Sequence, residues 1–178
     1  MRVFILGFMG NGKTTVGRRL ADRIGYQFID LDESIENEVG LTVEEIFFLH
    51  GEQHFRQLEH NQLLSVCSLD HVIVAVGGGT PCFFDNMEIM NREGTTVYLK
   101  LSEENILQRI LSMPADAVQA RPLIANKSEE ELKVFIHEVL QKREPFYNQA
   151  KIVVENHYNQ VEQTVDIILS QLPLTQKR

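Results

Sequence analysis

Near the start of the chain, Gly7-Phe8-Met9-Gly10-Asn11-Gly12-Lys13-Thr14 fills the pattern G-x-x-x-x-G-K-[ST], whose chemistry is to wrap the phosphates of a nucleoside triphosphate. Glycines at 7, 10 and 12 let the backbone take positive φ and approach an anion with no Cβ in the way. Successive N–H groups then converge at the positive end of a helix dipole. Lys13 supplies a point charge for the β and γ phosphates, and the Thr14 hydroxyl is placed for Mg²⁺. The bland alternative, a chance glycine-rich turn, is disfavoured by context. The apolar run Val3-Phe4-Ile5-Leu6 reads as a buried strand before the loop, and Val16, Leu20, Ala21 and Ile24 read as one face of a helix after it.

Acidic side chains recur at Asp30-Leu31-Asp32, after the short strand signal Gln27-Phe28-Ile29-Asp30. On a regular strand these alternate acids share one face and stand at the crevice where open α/β sheets bind ligands. One can then face magnesium and the other a substrate hydroxyl. The competing reading makes Asp32 only a cap for a helix from Ser34 to Glu38, and at this point the two stand level.

Elements able to position these groups alternate along the chain. Thr42 with Glu45 and Ser128 with Glu131 are capping boxes that open helices, and Ser102 with Glu103 and Glu104 opens another. Val72-Ile73-Val74-Ala75-Val76, Thr96-Val97-Tyr98-Leu99 and Ile152-Val153-Val154 read as strands of a parallel sheet. The helix from Ser128 is expected to stop or kink at Pro145, and a last helix spans about 161–172. The sum is a three-layer α/β/α domain around a parallel sheet of about five strands. Residues 111–126 resist the pattern, with two prolines and the lone Arg121. A loop of that length in a phosphoryl-transfer enzyme suggests a mobile lid that keeps water from the γ-phosphate.

With 178 residues, 43% of them hydrophobic, the chain is expected to form one domain. No apolar stretch approaches the roughly 20 residues of a membrane span, and the first strand leaves no room for a leader, so a cytoplasmic protein with no membrane partner is expected. Cys67 and Cys82 lack metal or disulfide spacing and read as free thiols. A formal charge of −8 argues against nucleic acid as a partner. It also requires that a site for anionic ligands concentrate its own cations locally.

Taken in order, the phosphate loop through Thr15, the Phe28-Ile29-Asp30-Leu31-Asp32 run with Ile35-Glu36, Gly51-Glu52-Gln53-His54-Phe55-Arg56 with Glu59, the triplet Gly77-Gly78-Gly79, and Arg121-Pro122-Leu123 followed by Lys142-Arg143-Glu144-Pro145-Phe146-Tyr147 resemble shikimate kinase over nearly the whole chain. The resemblance implies a nucleoside-monophosphate-kinase-like P-loop fold. It also implies transfer of the ATP γ-phosphate to the 3-hydroxyl of shikimate, with Mg²⁺, in aromatic amino-acid biosynthesis, and a monomer is expected. It assigns Asp32 to the shikimate hydroxyls as the acid that orients or deprotonates the nucleophile, and Asp30 and Thr14 to the metal. Arg56 and Arg143 match a pair that clamps the shikimate carboxylate, with Gly78 and Gly79 beneath the ring. Gly10, Asn11, Gly12, Lys13, Thr14 and Thr15 match the ATP cradle, and Lys13 and Arg121 stabilise the transferring group. Arg109 falls near an adenine-stacking position, and Asn159 and Gln160 align loosely with an adenine-contacting stretch; the loop between Arg109 and Arg121 is longer than the family pattern.

Other readings remain open on the sequence alone. Another small-metabolite kinase of this fold, such as a gluconate kinase, would share the phosphate loop but lack the arginine pair and glycine triplet, and a non-catalytic nucleotide-binding module would not need Asp32 and Arg121. Asn126-Lys127-Ser128-Glu129 departs from the guanine-reading N-K-x-D by its glutamate. His50-Gly51-Glu52-Gln53-His54 misses the zinc pattern because Gly51 breaks the helix, which leaves surface histidines.

Overall fold

The computed structural model describes residues 1–119, 121, 123–156 and 160–173. Its centre is a parallel sheet of the strands β1 (Arg2–Leu6), β2 (Gln27–Asp30), β3 (Val72–Ala75), β4 (Thr95–Lys100) and β5 (Ile152–Glu155), in the spatial order β2-β3-β1-β4-β5. Register is set by Phe4 opposite Val74 on one side and Thr96 on the other. β1, β3 and most of β4 are buried on both faces, as expected of β-branched runs covered by helices above and below. Because the chain leaves β1 for the β3–β2 side and later returns to its other side as β4, the carboxyl end of β1 is the topological switch point, where such sheets bind ligands.

Helices α1 (Lys13–Ile24) and α8 (Val161–Gln171) cover one face. There Val16, Leu20 and Ala21 meet Val165 and Ile168 over Val3, Ile5 and Val97. The opposite face carries α4 (Asn86–Glu93), α5 (Glu103–Leu111), α7 (Glu129–Tyr147) and part of α3 (Val43–Val66), packed over Phe4, Leu6, Val74 and Tyr98. The remaining α2 (Leu31–Val39) joins α3 in a small outlying cluster of Ile35, Ile46 and Phe55.

Both capping boxes form, at Thr42–Glu45 and Ser128–Glu131, and Ser102 caps α5 through the Asn105 N–H. Gly51, at φ 81° and ψ 169°, breaks α3 into two helical pieces. Four details differ from the sequence reading. Helix α2 starts at Leu31 rather than Ser34, and its cap is Asp30, whose side chain accepts the Asp32 N–H. Asp32 is therefore a first-turn helical residue, neither the cap nor a strand neighbour of Asp30. Helix α7 continues past Pro145 to Tyr147: a proline in the final turn removes only one hydrogen bond, and the fully buried Tyr147, packed 5.0 Å from the Tyr98 ring, holds the turn in place. Helix α4, absent from the sequence reading, has no side-chain cap to announce it. Finally, the 111–126 stretch carries a short helix, α6 (Ala115–Gln119).

Candidate active site

The phosphate loop leaves β1 at the switch point, and all three of its glycines take left-handed or otherwise positive φ: 143° at Gly7, 73° at Gly10 and 89° at Gly12. A side chain at any of them would be strained. Gly12 is itself the N-terminal cap of α1, so the helix dipole points its positive end at the loop, and no acidic residue in the first turn opposes it. Asn11 braces the loop from below by donating to the Leu99 carbonyl at 2.6 Å. Asn156, at the end of β5, donates to the Asn11 carbonyl at 2.6 Å. Arg109 of α5 donates to the Gly10 carbonyl at 2.8 Å, so it lies against the loop itself.

Two connected cavities flank Asp32. The larger, about 740 Å³, is lined by Gly10, Gly12, Lys13, Thr14, Thr15, Arg18, Asp30, Arg109 and Arg121 among others. The smaller, about 190 Å³, is lined by Asp32, Arg56, Glu59, Gly77, Gly78, Gly79, Arg121 and Arg143, with an apolar wall of Met9, Val43, Phe47, Phe55 and Leu123. Met9, Asp32, Gly77, Gly78 and Arg121 border both. The site's cations thus gather where the acidic surplus of the chain made them necessary.

Lys13 curls over its own loop and donates to the carbonyls of Gly7 and Phe8, both at 3.0 Å. Burial lowers its pKa to about 8 against the opposing pull of Asp32 and Asp30, with the Arg143 and Arg121 charges adding to the lowering. Asp32 shifts the other way, to about 7, first through burial and then through the charges of Glu59 and Asp30. Its Oδ1 is sheltered from water and has no hydrogen-bond partner among the described residues. An orphaned buried acceptor facing a cavity is a place for a ligand hydroxyl. Across the loop, the Thr14 hydroxyl donates to Asp30 Oδ2 at 2.7 Å.

Arg56 is 6% exposed and pairs with Glu59 at 2.5 Å and with Glu52 at 2.9 Å. Although burial disfavours its charge, the Glu59 and Glu52 carboxylates more than offset this and hold the guanidinium above its usual range. Its cation also stacks on Phe83, 4.4 Å from the ring centroid. The glycine triplet is required by these side chains as much as by any ligand. A Cβ at Gly79 would lie 2.6 Å from Arg56 Nη1, one at Gly77 would lie 2.4 Å from Glu59 Oε1, and one at Gly78 would lie 3.0 Å from Arg143 Nη1. None of the three has positive φ, so the turn demands closeness rather than left-handed backbone.

The expected site residues line the two cavities, except those of the adenine-contacting stretch and Asn11, which is buried beneath the phosphate loop and borders neither. Arg121 borders both while donating to the Ala117 carbonyl at 2.5 Å. Asn159 lies outside the described residues, as does Pro122 of the Arg121 motif, and Gln160 is an exposed helix-starting residue. Glu59, Met9, Phe47 and Arg18 also line the cavities and had no separate role assigned from the sequence. Only Glu59 had a detectable signal, an acid three residues after Arg56 on the same helix face. His50 and His54 are exposed, and no cluster of metal-binding side chains forms among the described residues.

A phosphate loop at the switch point of this sheet, opening onto a small polar chamber with two arginines, defines a P-loop phosphotransferase acting on a small acceptor. The model of one family, shikimate kinase, matches residues 9–173, and the chain belongs to that family. It is 51% identical over 150 residues to the shikimate kinase of Phocaeicola vulgatus, covering 84% of this chain and 83% of that protein. The crystal structure of shikimate kinase from Bacteroides thetaiotaomicron superposes with a TM-score of 0.90 at 40% identity, over 98% of this chain and 99% of that one. Shikimate kinase from Acinetobacter baumannii, solved in complex with shikimate, superposes with a TM-score of 0.85 at 33% identity, over 95% and 90%. The chain is accordingly an ATP-dependent kinase.

Proposed function

We propose that this chain transfers the γ-phosphate of ATP to the 3-hydroxyl of shikimate, giving shikimate 3-phosphate and ADP, a step of aromatic amino-acid biosynthesis. The observation that carries the reading is the pairing, in one 190 Å³ chamber, of Arg56 and Arg143 with the orphaned carboxylate oxygen of Asp32. A small hydroxylated carboxylic acid satisfies both ends. Its carboxylate meets the guanidinium groups through charge-assisted hydrogen bonds, its hydroxyls meet Asp32, and its ring lies between the glycine triplet and the wall of Phe47 and Phe55. Phosphate binding without transfer would leave the orphaned Asp32 oxygen without use, and gluconate, also a hydroxylated carboxylate, is separated from shikimate by the assay below.

In the larger chamber the backbone N–H groups of residues 10–15 cradle the triphosphate, and Lys13 exchanges its two carbonyl partners for phosphate oxygens. The added negative charge holds Lys13 protonated, against the burial that lowers its pKa. Arg121, bordering both chambers, meets the charge on the transferring phosphoryl group as residues 111–126 close over it. Asp32, poised near pH 7, accepts the hydrogen bond and then the proton of the attacking hydroxyl. The new oxygen–phosphorus bond forms as the bond to the β-phosphate oxygen breaks, and ADP departs with the electron pair.

The family implies Mg²⁺, and the donors present fit it. Thr14 Oγ1 and Asp30 Oδ2 are hard oxygens paired at 2.7 Å beside the phosphate loop, which suits an ion that takes few protein ligands and completes its shell with phosphate and water. Bound there, it would neutralise charge on the β and γ phosphates.

The test is ADP release in a coupled assay with shikimate, with gluconate and with no acceptor. Release that depends on shikimate alone is expected. Release that depends on gluconate, or on no acceptor, overturns the reading.

A further inference from the structure

The carboxylate clamp is held from behind by a chain of buried hydrogen bonds. Glu59, 1% exposed, accepts from Arg56 Nη1 through Oε2 at 2.5 Å and from the Thr80 hydroxyl through Oε1 at 2.6 Å. Thr80 and Asn86 are both completely buried, and Asn86 Nδ2 donates to the Thr80 carbonyl at 2.9 Å. A backbone carbonyl only accepts, so the amide orientation of Asn86 is fixed and its Oδ1 faces His60 Nδ1 at 2.6 Å. His60 therefore carries its proton on Nδ1, with its ring 4.9 Å from that of Phe84. The chain runs from His60 on α3 through Asn86 at the start of α4 and Thr80 to Glu59 and Arg56.

Counting donors shows what this accomplishes. A guanidinium has five N–H groups. Among the described residues, Arg56 commits Nε and one N–H of Nη2 to Glu52, and one N–H of Nη1 to Glu59. One N–H remains on each terminal nitrogen, the pair a planar carboxylate meets with two parallel bonds. Glu59 is itself a carboxylate in contact with this guanidinium, and with both oxygens available it would compete for that fork. Thr80 takes one of those oxygens.

We infer that Thr80 is a positioning residue: by occupying Glu59 Oε1 it keeps Glu59 singly bonded to Arg56 and leaves the guanidinium fork open for the acceptor's carboxylate. Asn86 fixes the Thr80 backbone for this task, and Gly77 leaves the room, since a Cβ there would lie 3.0 Å from Thr80 Oγ1. The inference rests on the proposal that Arg56 binds the acceptor's carboxylate, so the experiment separates the two.

Steady-state kinetics with shikimate and ATP on Thr80→Val, Thr80→Ser, Arg56→Ala and the Thr80→Val/Arg56→Ala double variant make the test, with calorimetry for shikimate binding. Thr80→Val removes the hydroxyl at constant shape and is expected to raise the KM for shikimate about tenfold, with kcat and the KM for ATP unchanged, because the lost interaction is remote from the reacting hydroxyl. Thr80→Ser restores the donor and the low KM. In the Arg56→Ala background, adding Thr80→Val leaves kcat/KM where Arg56→Ala alone has put it. If Thr80→Val does not fold, Thr80→Cys, close in volume and a weak donor, carries the test with a smaller rise. An unchanged shikimate KM in the valine variant (or the cysteine variant), or an undiminished effect in the Arg56→Ala background, overturns the inference. If Arg56→Ala itself leaves kcat/KM for shikimate intact, it is the underlying carboxylate reading that fails.

Discussion

The hydroxyl of Tyr147 donates a 2.5 Å hydrogen bond to the carbonyl of Gly78, tying the last turn of α7 to the glycine segment that separates the two chambers. Arg143 stands four residues earlier, on the same helix face. The bond therefore fixes the height of Arg143 over Gly78. Burial raises the Tyr147 phenol above its usual range, against the Arg143 charge, so it remains a donor at any working pH.

Tyr147→Phe leaves a buried carbonyl without its partner. The expected loss is about 1–2 kcal/mol, seen as a melting temperature lowered by about 2–8 °C. A small rise in the KM for shikimate should accompany it as Arg143 loses its support. Scanning calorimetry together with initial rates checks both, and an unchanged melting temperature would show that the bond contributes nothing.

Gly79→Ala isolates sterics from backbone strain, because Gly79 has an ordinary φ of −89°. The new methyl would sit 2.6–2.7 Å from the Arg56 guanidinium, and the guanidinium, flanked by Glu52, Glu59 and Phe83, has little room to retreat. The KM for shikimate should rise by about tenfold or more while the KM for ATP stays put, as expected for misplacement of a binding group. Equal rises in both constants would show instead a general disturbance of the segment after β3.

The opposite shifts of Asp32 and Lys13 set the pH behaviour. Burial raises the Asp32 pKa to about 7 in the folded protein, against 3.8 for an ordinary aspartate. Between those values the folded chain keeps a proton that the unfolded chain has released, so stability falls as pH rises from about 4 to 7 and the loss is complete above. Lys13, at about 8 against 10.5, contributes in the other direction: its destabilisation is full below pH 8 and is relieved as pH climbs through 8 to 10.5. Asp32→Asn should therefore gain thermal stability over the parent in the ligand-free state, with the gain near zero at pH 4 and level above pH 7. The same variant should bind ATP and lose about 10²–10⁴ in kcat. It should also lose the rising limb near pH 7 in kcat/KM for shikimate. Near-normal kcat would remove Asp32 from the chemistry.

Features whose cause is local were readable from the sequence. The phosphate loop, both capping boxes and the break at Gly51 each depend on a few consecutive residues, and each forms as expected. What escaped depends on contacts made at a distance. Asp30 rather than Asp32 caps α2 because the helix begins at Leu31, directly after β2, with no loop between them. α7 survives Pro145 because Tyr147 is anchored on Tyr98 and Gly78. Glu59 becomes meaningful only when Thr80, 21 residues away, folds against it. The glycine triplet invited a ligand explanation, whereas the fold adds a second one in the bulk of Arg56 and Glu59.

A crystal structure with ADP and shikimate bound would show where the acceptor's carboxylate sits. The acid's carboxylate is predicted within hydrogen-bonding distance of both Arg56 and Arg143, with a ring hydroxyl on Asp32 Oδ1 and the nucleotide phosphates on residues 10–15. Shikimate seated away from the two arginines, or turned so that its carboxylate faces the phosphate loop, would contradict it.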